Sequence, residues 1–260
     1  MLELLSELTV NGIELWVVLL CCCGVFLASF VDAIGGGGGI ISVPTYYVLG
    51  TNKVSSSIST LFSTARFVRG GYVDWKLCIP GEALAVMVST AGVWLQHHTP
   101  DIILKYTLVV VLPIVAFITL RGRVWPDEPG EISPKKQLCV VCAAALIVGV
   151  YDGYYGPGTG TFLMIAFIRF GKMDVRHASG CTKVINLSSN VGSLLSILRS
   201  GYLYLGVGLI CSVAGVLGAL LGAGLAIKNG SKLVRPMVVF VLILLTLKVG
   251  SEIFFPEFWG

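Results

Sequence analysis

Long apolar stretches separated by short polar breaks run along almost the whole chain. In the first half, these stretches predict helices over residues 12–34, 40–50, 54–69, 77–97 and 102–120. In the second half, they predict helices over residues 137–155, 160–170, 181–199, 203–227 and 232–254. A helix needs about 20 apolar residues to cross the hydrocarbon of a bilayer. The second segment of each half has about eleven residues and would reach only about 16 Å, which predicts a half-helix or part of a re-entrant hairpin.

The composition is that of an integral membrane protein. Of the 260 residues, 55% are hydrophobic and only 12% are charged, whereas a soluble domain carries about 25% charged residues. The net charge of +4 does not indicate nucleic-acid binding, because the basic residues lie at the ends of apolar segments, as the positive-inside rule expects. We therefore predict an all-α polytopic bundle embedded in the lipid bilayer.

Two glycine-rich breaks interrupt the apolar pattern, at Gly35–Gly39 and Gly156–Gly160, and the second follows the first by 121 residues. Lys53-Val54 recurs as Lys183-Val184 after 130 residues. These matches predict an internal duplication whose first copy is nine residues shorter between the glycines and the lysine.

The polar stretch between the copies sets the predicted boundaries. We expect a first transmembrane repeat over residues 1–121, a polar inter-repeat loop over 122–136 and a second transmembrane repeat over 137–260. The first 20 residues contain glutamates but no lysine or arginine, which predicts an external N-terminus. If each repeat crosses the membrane an odd number of times, the lysine and arginine clusters that come later in the chain lie on the cytoplasmic side. The two repeats are then inverted relative to each other.

Each glycine loop is a candidate anion site, because an apolar helix follows it at once. Glycine lets a ligand approach the backbone closely, and the N–H groups and positive dipole end of the following helix would point into the loop. Glycine-rich stretches also permit close helix packing, and that alternative stays open. The candidate substrate-binding residues of the loops are Gly37, Gly38, Gly39, Gly156, Gly158, Thr159 and Gly160.

The lysines of the two copies are the next candidates. If Thr51 or Asn52 caps its helix, Lys53 lies in a first turn, where the helix dipole disfavours a cation, and Lys183 lies similarly. A lysine in such a place requires an anionic partner, although a lysine whose ammonium group reaches the membrane interface is the alternative. The neighbouring side chains Asn52, Ser56, Asn186 and Asn190 could bind a polar substrate or join helices.

Asp32 and Asp152 each precede a glycine loop. Such a carboxylate could pair with Lys53 or Lys183, or carry a coupling proton. Capping of the following helix is the alternative.

The chain contains no arrangement typical of an enzyme, a metal site or a cofactor site. The glycine loops lack the strand–turn–helix context of nucleotide-binding loops. Cys139-x-x-Cys142 opens an apolar helix with no second pair beside it, so we interpret the eight cysteines as small packing residues rather than disulfides or ligands. We predict no enzymatic activity, no cofactor and no bound metal, and we leave a homo-oligomer open.

At these residues the chain resembles the TauE/SafE sulfite exporter family, and in particular its bacterial members described as probable membrane transporters. The resemblance covers almost the entire chain, but the proline-containing loop that is usual in the family between Pro44 and Asn52 is absent. The motifs that carry it are Asp32 to Gly39, Pro44, Gly50 to Ser57, Gly149 to Phe162, Lys183 to Asn190 and Arg235 to Met237.

The resemblance implies a bacterial inner-membrane permease built from two related helical repeats. Family members are linked to the export of sulfite, sulfoacetate and related organosulfonates. We therefore expect a secondary transporter that exports such a small anion and binds it near the midplane, between the glycine loops. The alternatives are a different small anion such as a carboxylate, a non-transporting membrane partner or assembly subunit, and a cation permease.

Overall fold

The computed structural model describes residues 9–10, 13–45, 49–100, 103, 106, 125–198 and 204–254. A short antiparallel hairpin of β1 (Thr9–Val10) and β2 (Ile13–Glu14) precedes the first helix. The helices are α1 (Leu15–Gly35), α2 (Gly39–Thr45), α3 (Leu49–Arg69), α4 (Trp75–His98), α5 (Pro134–Tyr154), α6 (Thr159–Arg169), α7 (Val175–Leu198), α8 (Leu205–Asn229) and α9 (Ser231–Phe254).

Within these ranges, five helices are long and apolar enough to cross a membrane: α1, α4, α5, α8 and α9. This confirms the predicted all-α membrane class. Helices α3 and α7 have 21 and 24 residues, or about 31 and 36 Å, but they carry more polar residues than these five. Part of their surface is apolar and exposed, at Leu61, Phe62 and Leu195. Helices α2 and α6, with 7 and 11 residues, are half-helices in length, as predicted for the segments after the glycine breaks.

Polar side chains define where several helices begin. Ser133 caps α5, with Pro134 at the first helical position, and Asp74 caps α4 by accepting from the Lys76 N–H. The Asp174 carboxylate accepts from the backbone N–H of His177 and so starts α7 at Val175 rather than at residue 181. The predicted helix at 102–120 falls almost entirely outside the described residues.

Helix α3 also begins earlier than predicted, at Leu49 rather than at residue 54. Lys53 is therefore the fifth residue of α3 and Lys183 the ninth of α7, so the prediction that both lysines lie in first turns is wrong. Thr51 does not cap the helix; its hydroxyl accepts from the Tyr204 N–H at 2.9 Å.

The helix contacts between the two halves are reciprocal. Helix α1 packs on α8, and its counterpart α5 packs on α4; α3 packs on α8, and its counterpart α7 packs on α4. Helices α3 and α7 contact each other, and α7 is buried along most of its length. This exchange is what a two-fold relation between repeats would produce, and the inverted orientation of the repeats stays a prediction.

Small residues bring the apolar helices into backbone contact. A Cβ atom on Gly218 of α8 would lie 2.2 Å from the carbonyl oxygen of Phe26 in α1, and one on Gly153 of α5 would lie 2.0 Å from that of Ser89 in α4. Such contacts are possible only for glycine, and they are a common way for membrane helices to associate.

One carboxylate outside the membrane-spanning helices fastens the connection between the repeats to α9. Asp127 accepts from the Ser231 hydroxyl at 2.7 Å and from the Ser231 N–H at 3.1 Å. These hydrogen bonds favour the carboxylate and lower the pKa of Asp127 below its usual value.

We expect Asp127→Asn to reduce stability modestly at neutral pH. A carboxyl whose pKa is lowered by folding stabilises the folded state above the unfolded pKa of about 3.9, and this contribution is lost as the pH falls through the folded value. Because Asp127 is half exposed, the loss should stay below about 1 kcal/mol. Thermal unfolding in detergent should show a lower Tm at pH 7 and a difference that shrinks as the pH falls below about 4. Glu128→Gln, at the exposed neighbouring position, should leave the Tm unchanged, and an equal effect of both variants would contradict the capping role.

Candidate functional site

The two glycine loops cross each other in the interior. Helix α1 ends at Gly35, and Gly36 and Gly37 have φ values of 73° and 81°, a region that L side chains rarely adopt. A Cβ on Gly36 would lie 2.3 Å from the backbone carbon of Gly160 in the other loop. Thr161 reinforces the crossing by donating from its hydroxyl to the Gly35 carbonyl oxygen at 2.9 Å.

Lys53 of α3 forms a buried ion pair with the aspartate of the second repeat. Its Nζ lies 2.9 Å from Asp152 Oδ2 and 2.9 Å from Asn190 Oδ1. Only 4% of the lysine side chain and 3% of the aspartate side chain are exposed. A charge in this position is tolerated because it is paired and hydrogen-bonded.

Lys183 of α7 forms the reciprocal pair with the aspartate of the first repeat. Its Nζ lies 2.7 Å from Asp32 Oδ2 and also donates to the Asp32 carbonyl oxygen. The lysine side chain is fully buried. Each lysine therefore binds the aspartate of the other repeat, and the four charges of the two pairs cancel.

The two carboxylates differ in how fully their oxygens are occupied. Asp152 also accepts from the hydroxyls of Ser189 and Thr159, each at 2.8 Å. Besides Lys183, Asp32 accepts from the Gly38 N–H at 3.3 Å, and 20% of its side chain is exposed. Pairing with lysine and bonding to the following glycine loop or half-helix thus occur together, although the sequence analysis treated them as alternatives.

A small polar cavity lies beside these pairs. It offers about 40 Å³ to the centres of water-sized spheres, and one water needs about 10–15 Å³ on that measure. The cavity therefore holds about three waters, or one ion with a few non-hydrogen atoms. The predicted site residues that line it are Asp32, Gly37, Gly38, Gly39, Asn52, Lys53, Ser56, Asp152, Gly156, Thr159, Gly160, Asn186 and Asn190.

Two predicted site residues lie away from the cavity lining. Gly158, with φ 93°, packs near Leu245 and Phe162 rather than facing the cavity. Lys183 lies behind Asp32, so that its ammonium group touches the cavity only through that carboxylate. Most of the residues that line the cavity belong to the first repeat.

A row of hydroxyls along α3 was not predicted from the sequence. Ser59, Thr60 and Ser63 line the cavity together with Ser29 of α1 and Ser42 of α2. The signal was present, because polar residues recur three or four positions apart from Asn52 to Ser63, which places them on one helix face. In an otherwise apolar chain, such a stripe indicates a wet surface.

The described ranges were compared with what a metal site or a reactive thiol pair would require. No three residues of the types His, Cys, Asp and Glu come together there in a way that could hold a metal ion. The cysteines are free thiols, and Cys78 of α4 lies 2.8 Å from Cys181 of α7, sulfur to sulfur. This contact fits the interpretation of the cysteines as small packing residues between helices.

Within the described ranges, five apolar helices pack with two more polar ones, and broken helices meet at buried ion pairs beside a small cavity. These features define a multi-pass helical membrane protein of the transporter class. Comparison with known families agrees with this assignment. The chain belongs to the family described as sulfite exporter TauE/SafE, whose model matches residues 21–249.

Bacterial proteins described as probable membrane transporters resemble the chain over nearly its full length. It is 30% identical to the "Probable membrane transporter protein ORF9" of Sinorhizobium sp, over 87% of this chain and 90% of that protein. It is 30% identical to a "Probable membrane transporter protein" of Haemophilus influenzae, over 92% and 95%. It is 29% identical to the "Probable membrane transporter protein YfcA" of Escherichia coli K12, over 87% and 89%. No solved structure matches the chain.

Proposed function

We propose that this protein is a secondary transporter of the bacterial inner membrane that exports a small anion, namely sulfite, sulfoacetate or another organosulfonate. The observation that carries the proposal is the exchange of Lys–Asp pairs between the repeats beside a small polar cavity, at the crossing of two glycine loops. The family description as sulfite exporter supports the substrate class. A transporter family also argues against an enzymatic role.

The Lys53 ammonium group can donate one further hydrogen bond to an anion. An ammonium group donates three hydrogen bonds. Asp152 Oδ2 and Asn190 Oδ1 take two of them at 2.9 Å, whereas the third contact, to the Asp152 carbonyl oxygen, is long at 3.4 Å. An oxyanion in the cavity would replace that weak acceptor, and the Asn52 and Asn186 side chains on the cavity wall would complete its contacts.

The charge balance of the site favours co-transport of a proton. The two pairs are neutral together, so a bound monoanion would leave one uncompensated negative charge away from water, which is costly. Protonation of one carboxylate restores neutrality. Both carboxylates line the cavity. Asp32 is the better candidate, because 20% of its side chain is exposed and only 3% of that of Asp152. The anion and its proton would then move together down the gradient of the anion.

Efflux from proteoliposomes tests this proposal. Vesicles would be loaded with radiolabelled sulfite or sulfoacetate, with thiosulfate and acetate as comparisons, and with protein-free vesicles as the blank. We expect efflux of the sulfur anions that is faster when the interior is more acidic and unchanged by a potassium diffusion potential. Asp32→Asn should remove the acceleration by pH while retaining anion exchange.

Each outcome has a distinct meaning. No flux of any anion would contradict the transporter proposal and favour a non-transporting partner. Flux of acetate alone would contradict the sulfur anion as substrate. Flux that follows the diffusion potential but ignores the pH gradient would contradict proton coupling.

A further inference from the structure

One face of α3 carries a series of polar residues that ends in an arginine. The members of the series are four and three residues apart in turn, which keeps them on one side of a helix. All of them except the arginine line the cavity, so the arginine lies one turn beyond the last residue that reaches it. The series consists of Asn52, Ser56, Ser59, Ser63 and Arg66.

The guanidinium group of Arg66 lies on α8, next to this end of the cavity. Its Nη1 donates to the Leu220 carbonyl oxygen at 2.9 Å, and the neighbouring Ala219 lines the cavity. A Cβ on Gly224 would lie 2.4 Å from Arg66 Nη2, so the glycine leaves room for the guanidinium group on the helix surface. Arginine has five N–H donors, and the carbonyl contact therefore leaves donors for an anion.

The charge of Arg66 is not balanced by a carboxylate. Within the part of the chain that the structure describes, this exposed arginine forms no ion pair. Arg176 also donates to a carbonyl oxygen of α8, at 2.8 Å, but a carboxylate oxygen of Asp127 lies 3.9 Å from its guanidinium group. Lys228, in the last turn of α8, follows Gly224 by four residues and lies on the same helix face. The surface around Arg66 is therefore positively charged.

The second repeat carries the same polar series without the arginine. Ser196 takes the place of Arg66 at an offset of 130 residues, whereas Arg69 recurs at the same offset as Arg199. A cation at position 66 is thus not part of the pattern that the two repeats share, which argues against a role in building the repeat. The matched series of α7 consists of Thr182, Asn186, Ser189, Ser193 and Ser196.

We propose that Arg66 forms an outer anion-binding site, at which a small oxyanion binds before it enters the cavity and reaches Lys53. The inference rests on the proposed transport of a small anion. Arg66 lies at the end of α3 that carries a basic cluster, which is predicted to be cytoplasmic, and an exporter takes up its anion from that side. If the repeats are inverted, the Ser196 end of α7 faces the opposite surface, so only the loading side has this cation.

The chemistry of arginine suits such a site. A positive charge at the end of a cleft raises the rate at which anions arrive there. The guanidinium N–H groups can bond two oxygens of a sulfite or a sulfonate at once. Because Arg66 is exposed, it binds the anion weakly and can release it to the cavity.

Inside-out membrane vesicles test the outer site, because they turn the cytoplasmic side toward the medium. Uptake of radiolabelled sulfite would be measured below and above its KM for the wild type, Arg66→Lys, Arg66→Gln and Arg66→Glu, with vesicles that lack the protein as the blank. Arg66→Gln removes the charge but keeps an N–H donor for the Leu220 carbonyl oxygen. The matched controls are Lys76→Gln and Lys76→Glu, at an exposed lysine near the start of α4. Thermal unfolding in detergent reports any structural damage.

We expect uptake below the KM to fall about threefold in Arg66→Gln and further in Arg66→Glu, because anions arrive more slowly. Arg66→Lys and both Lys76 variants should behave like the wild type. At saturating sulfite the variants should approach the wild-type rate, because the site at Lys53 is unchanged. The differences should shrink in about 0.5 M potassium gluconate, where charges are screened within a few ångströms.

Three results would overturn the outer site and leave the transport proposal intact. The first is wild-type uptake below the KM in Arg66→Glu, and the second is an equal loss in Lys76→Glu. The third is a loss in Arg66→Gln that salt does not reduce, and a lower Tm would then identify Arg66 as a structural residue. Absence of uptake by wild-type vesicles would instead contradict the proposed function itself.

Discussion

Lys53→Met is expected to abolish transport and to destabilise the protein, whereas Lys53→Met combined with Asp152→Asn should restore stability without restoring transport. The single change leaves Asp152 buried without its cation, and breaking a buried pair in this way costs about 3–5 kcal/mol. In the double variant, the asparagine is neutral; its oxygen can still accept from one of the two hydroxyls of Ser189 and Thr159, which bond to different carboxylate oxygens, and its NH2 group can donate to the oxygen of the other. Anion flux should fall at least tenfold in both variants, because both lack the ammonium group.

Thermal unfolding in detergent and efflux from proteoliposomes would be measured on the same preparations. Lys76→Met, at an exposed lysine, is the control and should change neither quantity. Wild-type flux in the double variant would contradict a direct role of Lys53 in binding the anion. A double variant as unstable as the single one would show that the unpaired charge of Asp152 is not what destabilises Lys53→Met.

Gly36→Ala is expected to disrupt the crossing of the glycine loops. Its φ of 73° costs a residue with a Cβ about 1–2 kcal/mol. In addition, the new Cβ would lie 2.3 Å from backbone atoms of Gly160 and Thr161, which no side-chain rearrangement can relieve, and such overpacking typically costs a further 1–3 kcal/mol. We expect a large fall in Tm and loss of flux.

Gly71→Ala separates the two causes. Gly71 has a similar φ of 78°, but no atom lies within 4 Å of its Cβ position, so this variant reports the conformational cost alone. Its fall in Tm should be less than half of that of Gly36→Ala, and its flux should remain near that of the wild type. Equal effects of the two variants would mean that the contact between the loops contributes nothing.

The repeat pattern of the sequence predicted which residues would meet, but not how they would pair. Two glycine loops and two lysines at related spacings indicated a shared site, and the structure brings them together. The sequence could not predict that Lys53 pairs with Asp152 and Lys183 with Asp32, because exchange between repeats depends on how the helices pack.

The early starts of α3 and α7 were missed for a local reason. For α7, the stretch from Arg169 to Arg176 is strongly charged and lies before the apolar segment, but Asp174 within it supplies a helix cap. The nine-residue deficit of the first repeat is absorbed partly in α2, which is four residues shorter than α6. A further four residues of the deficit lie between the start of the helix and its lysine. Lys53 is the fifth residue of α3, whereas Lys183 is the ninth residue of α7. Lys53 still reaches the aspartate of the other repeat, so the short connection does not displace it.

The location of a bound anion tests the central claim most directly. Selenite, a heavier analogue of sulfite, would be soaked into crystals of the protein, and its position read from anomalous scattering. We predict a peak inside the cavity, about 3 Å from Lys53 Nζ, that disappears in the variant Lys53→Met with Asp152→Asn. Selenite bound only outside this cavity, or bound in it equally well in the double variant, would contradict the account.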